Sequence, residues 1–356
     1  MSRPSRARID LDALRRNYAV ARHMHGQKVL AVLKANAYGH GARECAQALA
    51  GTADGFAVAF LDEALELRES GIALPILLLE GVFDAAELRT AARHALWCVV
   101  HHEPQLRMFE AADDLEAPVN VWLKMDSGMG RAGFAPGAVA AGFARLTVCR
   151  SVGEVVLMSH FARADEPGVP ATGAQIACFD RACAGLEAPA SLANSAGIMA
   201  WGPAHRGWGR AGIMLYGVDP LPATHRQGRL RPVMTLESEV FAERLLEPHA
   251  ALGYGGGFVA QRRMRVGLVA VGYADGYPRA APAGTPVTVH GKPSRIIGRV
   301  SMDMLTIDLT DLPEAGVGSR VELWGASIDV NQVAAGAGTI AYELLCNVKR
   351  VPRVYA

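Results

Sequence analysis

A lysine closing an apolar run is the first residue in this chain whose type and place point to chemistry. The run VLAVL ends in Lys34 and leads into ANAYGHG. At an inward-facing strand end such a lysine is partly desolvated, which lowers its pKa and makes the neutral amine a nucleophile. That amine forms a Schiff base with an aldehyde. The competing reading is a rim lysine in water. Lys124 (end of VNVWLK), His160 (SHFARADE), Ser195 (ANSAGIMAW), Arg210 (WGRAG) and Tyr254 (LGYGGGF) are polar groups to which type and spacing alone assign no chemistry. Each has an ordinary reading. Lys124 pairs with an acid on a strand, and His160 is a satisfied core histidine. Ser195 caps a helix, a role compatible with anion binding at the helix N-terminus. Arg210 makes a rim salt bridge, and Tyr254 sits in a glycine turn.

The elements that must position these groups alternate two textures from residue 10 to about 217. Short apolar runs read as strands buried on both faces: 29–33, 56–60, 76–79, 97–100, 119–124, 155–159, 191–194 and 213–216. Stretches with helical spacing lie between most of them. In 12–23, Leu14, Tyr18 and Ala21 share one stripe behind a capping Asp10. Strand-then-helix repeats require parallel strands, because parallel neighbours need a crossover. Both an open doubly wound sheet and a closed (β/α)8 barrel fit; eight units in about 210 residues favour the barrel, whose active sites lie at the carboxyl ends of the strands. After Pro220–Arg231 the pattern changes to short alternating runs at 234–242, 265–273, 285–290, 294–297, 304–309 and 320–324, the mark of an antiparallel β domain. The expected division is a barrel over 10–225 and a β domain over 226–356.

Composition removes several classes of function. The 356 residues carry 36 basic and 35 acidic side chains, a net charge of +1, and are 51% hydrophobic and 20% charged. A chain so balanced lacks the basic excess that nucleic-acid affinity draws on, and it is too apolar to stay disordered. No apolar run reaches the roughly 18 residues that span a bilayer. The N-terminus has no h-region, so no secretory signal is expected. The six cysteines form no CxxC pair and read as buried free thiols in a reducing cytosol. A cytoplasmic enzyme is the expectation.

AVLKANAYGHG closely resembles the pyridoxal-phosphate (PLP) attachment segment of the alanine racemases, and the likeness continues in family order. KMDSGMGRAG, SHFARADE, ANSAGIMAW, GRAGIMLYG, LGYGGGF, VGYADGYPR, GRVSMDM and YELLC followed by RVPRVY carry it over residues 6 to 355. The resemblance implies an N-terminal (β/α)8 barrel and a C-terminal β domain into which residues 1–9 pair. It implies a PLP-dependent homodimer that interconverts L- and D-alanine by two-base proton transfer on a PLP external aldimine. Its D-alanine would supply peptidoglycan or be catabolised.

Residue by residue, the resemblance makes Lys34 the Schiff-base lysine and first base, and Tyr254 the second base, reaching in from the other subunit. Tyr38 and Ser195 are similar to the family's phosphate-binding hydroxyls, and Gly212 and Ile213 to its amide donors. Arg210 resembles the partner of the pyridine nitrogen. A guanidinium cannot take that nitrogen's proton, so it disfavours a pyridinium and a long-lived carbanion, and suits a racemase that avoids transamination. His160 stands between Arg210 and Tyr254. Arg131 resembles the fork that contacts the PLP phenolic oxygen and the substrate carboxylate, and Met302 the backbone N–H from the partner that meets the carboxylate. Tyr342 is similar to the tyrosine beside the cofactor and Tyr273 to the one narrowing the entrance. Lys124 aligns with a lysine carbamylated in several members. Family members often carry serine before the second base and a larger residue two positions after it. Glycines flank Tyr254 here, which predicts a less rigid loop. A broad-spectrum amino-acid racemase, a PLP-dependent decarboxylase and a PLP-carrier protein are the rival readings.

Overall fold

Asp10 opens the first helix as its position predicts. Its carboxylate accepts from the N–H of Ala13 (2.8 Å), and Leu11–His25 follows with Leu14, Tyr18 and Ala21 buried. The structure is a computed structural model that describes residues 3–356. Of the 1–9 segment expected to join the C-terminal region, residues 1 and 2 lie outside the described residues. Arg6–Ile9 forms strand β1.

Eight parallel strands form the N-terminal sheet. They are β2 (Lys28–Val32), β3 (Phe56–Val58), β4 (Ile76–Leu78), β5 (Leu96–Val100), β6 (Val119–Lys124), β7 (Val152–Met158), β8 (Ala190–Ser191) and β9 (Trp208–Ala211). Their order is β8-β7-β6-β5-β4-β3-β2-β9, so sequence neighbours pair and β9 returns to β2 by parallel register. The last strand differs from expectation: residues 213–216 form a 3₁₀ turn, and β9 lies just before them. WGRA carries an arginine and a glycine, so no apolar run announces it, although all four residues are buried.

The seam between β8 and β9 has no ladder. One residue spans it instead. The backbone N–H of Arg210 donates to Ala193 O (2.9 Å), and its guanidinium donates to Ser191 O (2.9 Å), Ser191 Oγ (2.5 Å) and Leu192 O (3.2 Å).

The C-terminal region is built on β10 (Met234–Leu246), followed by the small hairpin β11 (Ala251–Leu252) and β12 (Phe258–Val259). Its remaining strands are β13 (Met264–Val269), β14 (Pro286–Val289), β15 (Lys292–Arg295), β16 (Leu305–Asp308), β17 (Arg320–Trp324) and β18 (Arg353–Tyr355). All pair antiparallel except β18, which runs parallel to β1. Strand β1 fills the place between β10 and β18 and so ties the chain's start to its end. Two helices not signalled by the alternating pattern, Val330–Gly336 and Ala341–Cys346, complete the region. All six cysteines are free, but only Cys45 and Cys98 are buried; Cys149, Cys178, Cys183 and Cys346 are partly exposed, against the expectation of uniform burial. Among the described residues no helix is long and apolar enough to cross a membrane.

Candidate active site

The carboxyl ends of the parallel strands open on a cavity of about 340 Å³, within the size range of small-molecule and cofactor sites. Lys34 and Tyr38 enter it after β2, Lys124 at the end of β6, Arg131 from the next loop and His160 after β7. Ser195, Arg210, Gly212 and Ile213 line the opposite wall, and Tyr342 arrives from the C-terminal region. Ten of the thirteen candidate residues therefore meet in one place.

Lys34 is half-buried and begins an unusual turn. Ala35, Asn36, Ala37 and Tyr38 all have φ between 52° and 54°, a left-handed turn built without glycine. Such residues cost roughly 1–2 kcal/mol each, so the surroundings must hold them. Ala37 N–H donates to Leu33 O (2.7 Å) and Gly41 N–H to Asn36 O (3.0 Å). Asn36 Oδ1 accepts from Ala42 N–H (2.7 Å). Glu63 then joins two strand ends, accepting from Ala35 N–H (2.6 Å) through one oxygen and from Ala59 N–H (2.7 Å) through the other. Strain concentrated beside a reactive side chain is a mark of functional sites.

Arg210 is buried with no carboxylate within ion-pair distance among the described residues. Burial draws its pKa down from 12.5 to about 9, and it remains charged at pH 7. Besides the seam contacts, Nη2 donates to Ser159 O (2.8 Å) and meets His160 Nδ1 at 3.2 Å. Burial first, then the neighbouring cations Arg210, Lys124, Arg131 and Lys34, hold the imidazole well below its usual pKa. His160 is thus neutral at pH 7, and its Nδ1 accepts from Arg210. The Nε–H of Arg210 has no acceptor among the described residues.

The far wall is a cradle for an anion. Ser195 Oγ accepts from Gly212 N–H (2.9 Å) and Met214 N–H (3.3 Å). The helix cap is Asn194, whose side chain accepts from Gly197 N–H (2.9 Å), so Ser195 is not the cap that its motif allowed. Gly212 N–H is already engaged, while Ile213 N–H is free among the described residues. A Cβ on Gly212 would stand 2.7 Å from the Tyr38 hydroxyl, so glycine keeps open the space the two hydroxyls face. Lys34, Lys124, Arg131 and Arg210 face one acid, Glu80. Desolvation lowers the Lys124 pKa to about 8, with Glu80 opposing and the other cations assisting. Burial raises Tyr342 to about 12.

Tyr254, Tyr273 and Met302 do not line this cavity. They lie 66%, 38% and 53% exposed on the C-terminal region. Tyr254 borders a separate depression with Arg279 and Arg299. Tyr273 and Met302 are held side by side: Tyr273 N–H donates to Ser301 O and Ala274 N–H to Met302 O, both at 3.0 Å. A Cβ on Gly272 would strike Met302 O at 2.4 Å, so the approach requires glycine there.

The family model for the alanine racemase N-terminal domain matches residues 9–220, and that for the alanine racemase C-terminal domain matches 233–355. An alanine racemase of Azoarcus sp. (strain BH72) is 64% identical over 349 residues, 98% of each chain. The chain belongs to the alanine racemase family. The crystal structure of a biosynthetic alanine racemase from Pseudomonas aeruginosa superposes with a TM-score of 0.95 at 49% identity, covering 99% of both chains. That of the Bartonella henselae alanine racemase with covalently bound pyridoxal phosphate does so with a TM-score of 0.90 at 28% identity, again over 99% of both.

The donor set fits pyridoxal phosphate. An amine, two hydroxyls, a free amide and a guanidinium N–H without a protein acceptor share the cavity wall, and a ring nitrogen with a free lone pair would give that N–H an acceptor. The excess of cations suits a phosphate and a carboxylate. Sequence reasoning missed Glu80, Cys346 and Asn194 on the cavity wall, and Glu63 and Ser191 behind it. Glu80 closes the run ILLLE just as Lys34 closes VLAVL, so the same strand-end rule finds it. Nothing local marks Glu63 or Ser191.

Proposed function

We propose that this chain is a PLP-dependent alanine racemase in which Lys34 attaches the cofactor and the active unit is a homodimer. The observation that carries the reading is the convergence of Lys34, Arg131, His160 and Arg210 with the Tyr38–Ser195–Gly212 cradle in one cavity of a member of this family.

Tyr38, Ser195 and the Ile213 N–H would hold the phosphate, Arg210 the ring nitrogen, and Tyr342 would pack nearby. Bound pyridoxal phosphate supplies an electron sink for the charge left at the substrate carbon. Lys34 Nζ takes or returns the proton on one face. The Tyr254 hydroxyl, presented by a second copy of the chain, serves the other. Arg131 orients the substrate carboxylate through its two-pronged donors, with the Met302 N–H of the second copy assisting and Tyr273 narrowing the entrance. A narrow entrance favours alanine by steric exclusion. Lys124, whose lowered pKa leaves some neutral amine at pH 7, is a candidate for carbamylation.

The exposure of Tyr254, Tyr273 and Met302 supports the dimer: each role requires a cavity other than its own chain's. Purified protein loaded with pyridoxal phosphate should convert L-alanine to an equal mixture of enantiomers by chiral chromatography, and should prefer alanine to lysine. Borohydride reduction should leave the label on Lys34. L-alanine that stays unchanged in a preparation labelled at Lys34 would refute the activity.

A further inference from the structure

Gln175 plays no part in the mechanism above, yet it is a polar side chain 4% exposed with every hydrogen-bonding atom engaged. Buried glutamine is uncommon, and a fully satisfied buried network rigidifies what it touches. The residue stands on the helix Ala171–Ala182. Its Nε2 donates to His160 O (3.1 Å) and to Ser127 Oγ (3.2 Å), and its Oε1 accepts from Ala162 N–H (2.9 Å). Two of these bonds bracket Phe161 and pin the backbone that leaves His160, at its own carbonyl and at Ala162 N–H. The third reaches the loop that carries Arg131.

That loop is tied together from within. Asp126 Oδ1 accepts from the N–H groups of Gly128, Met129 and Gly130 (2.9, 2.9 and 3.1 Å), and Met125 and Phe134 bridge its base. Ser127 Oγ also shares a hydrogen bond with Ser159 Oγ (2.7 Å), which donates to Met125 O (3.0 Å). Gly128 lies against the amide side chain: a Cβ there would sit 3.4 Å from Gln175 Cγ.

We propose that Gln175 is a positioning residue that fixes His160 and the Arg131 loop relative to one another, acting on the imidazole through the backbone that follows it. Among the described residues the side chain of His160 has one polar contact of its own, the 3.2 Å approach to Arg210, so its aim depends on where residues 160–162 are pinned. Lys34, Lys124, Arg131 and Arg210 are the charged groups facing the ring.

The inference rests on the racemase reading, and the parent enzyme is the control that separates the two. Gln175→Met keeps the length and removes all three bonds; Gln175→Glu keeps the acceptor for Ala162 and loses the donors. In Gln175→Met the borohydride label on Lys34 should persist. Displacement of catalytic groups by about an ångström should lower kcat roughly 10- to 100-fold, and KM for alanine should rise as the Arg131 loop loosens. Gln175→Glu should recover part of both losses. Independently of turnover, NMR of ¹⁵N-histidine-labelled protein should find His160 neutral to low pH in the parent and titrating closer to its ordinary range in Gln175→Met. An active parent whose Gln175→Met variant matches it in kcat, KM and His160 titration overturns the proposal. So does a fall in kcat that leaves His160 and KM unmoved. Should Gln175→Met not fold, Gln175→Glu decides by the same criteria. A parent that fails to racemise alanine refutes the function instead.

Discussion

The barrel mouth and the outward face of the C-terminal region carry two halves of one chemistry in opposite states. At the mouth Lys124 and Arg210 are buried and Lys34, Glu80 and His160 half-buried, while Arg131 stays exposed. Lys124, His160 and Arg210 all have lowered pKa values, and Arg210 is fixed by its carbonyl, hydroxyl and imidazole partners. On the C-terminal face Tyr254 stands in solvent, with no polar partner for its hydroxyl among the described residues. The contrast teaches where preorganisation is built. Within one chain the folding energy of the barrel completes the mouth, whereas the Tyr254 face is completed, on the reading proposed above, only by association.

The sharpest way to break that contrast is to remove the amine on which the mouth is centred. Lys34→Ala should abolish the borohydride label and lower kcat by ~10⁴ or more, the upper end of what one acid–base group contributes. Next, Tyr254→Phe should keep the label and lose about 10²- to 10⁴-fold in kcat. Mixing the two variants should restore activity, because a mixed dimer holds one site with both wild-type groups. Inactive mixtures, with exchange verified by mass, would place both bases on one chain. The smallest effect concerns stability. The Lys124 pKa is about 8 in the folded chain against an ordinary 10.5, so between those values the unfolded chain binds more protons and stability rises with pH. The charged amine therefore costs stability at pH 7. Lys124→Met should raise the urea midpoint there, worth roughly 1–3 kcal/mol, and the advantage should shrink from pH 8 to 10.5. A gain that does not change with pH would assign it to packing instead.

Sequence patterning disclosed the parallel sheet, the change of texture after residue 220 and the strand-ending lysines, because apolar runs and their terminal residues are local signals. It placed β17 at Arg320–Trp324 as observed. It missed β9, whose buried arginine hides the strand from any reading of hydrophobicity. The turn after Lys34 was equally hidden, since ANAY holds no glycine to announce positive φ and the partners that enforce it lie as far away as Glu63. Gln175 and Ser191 act through bonds to residues distant in sequence, and no spacing rule reaches them. The outward group, Tyr254 and Met302, entered only through the family resemblance.

Arg210 ties the reaction to the architecture. The cation proposed to meet the cofactor's ring nitrogen is also the clasp of the eighth and last seam of the barrel wall. A relative that exchanged it for an acid would not simply retune the ring; it would also have to find another way to shut the barrel. Loading with the cofactor would give that clasp the acceptor its Nε–H lacks, so heat resistance and cofactor occupancy should rise and fall together.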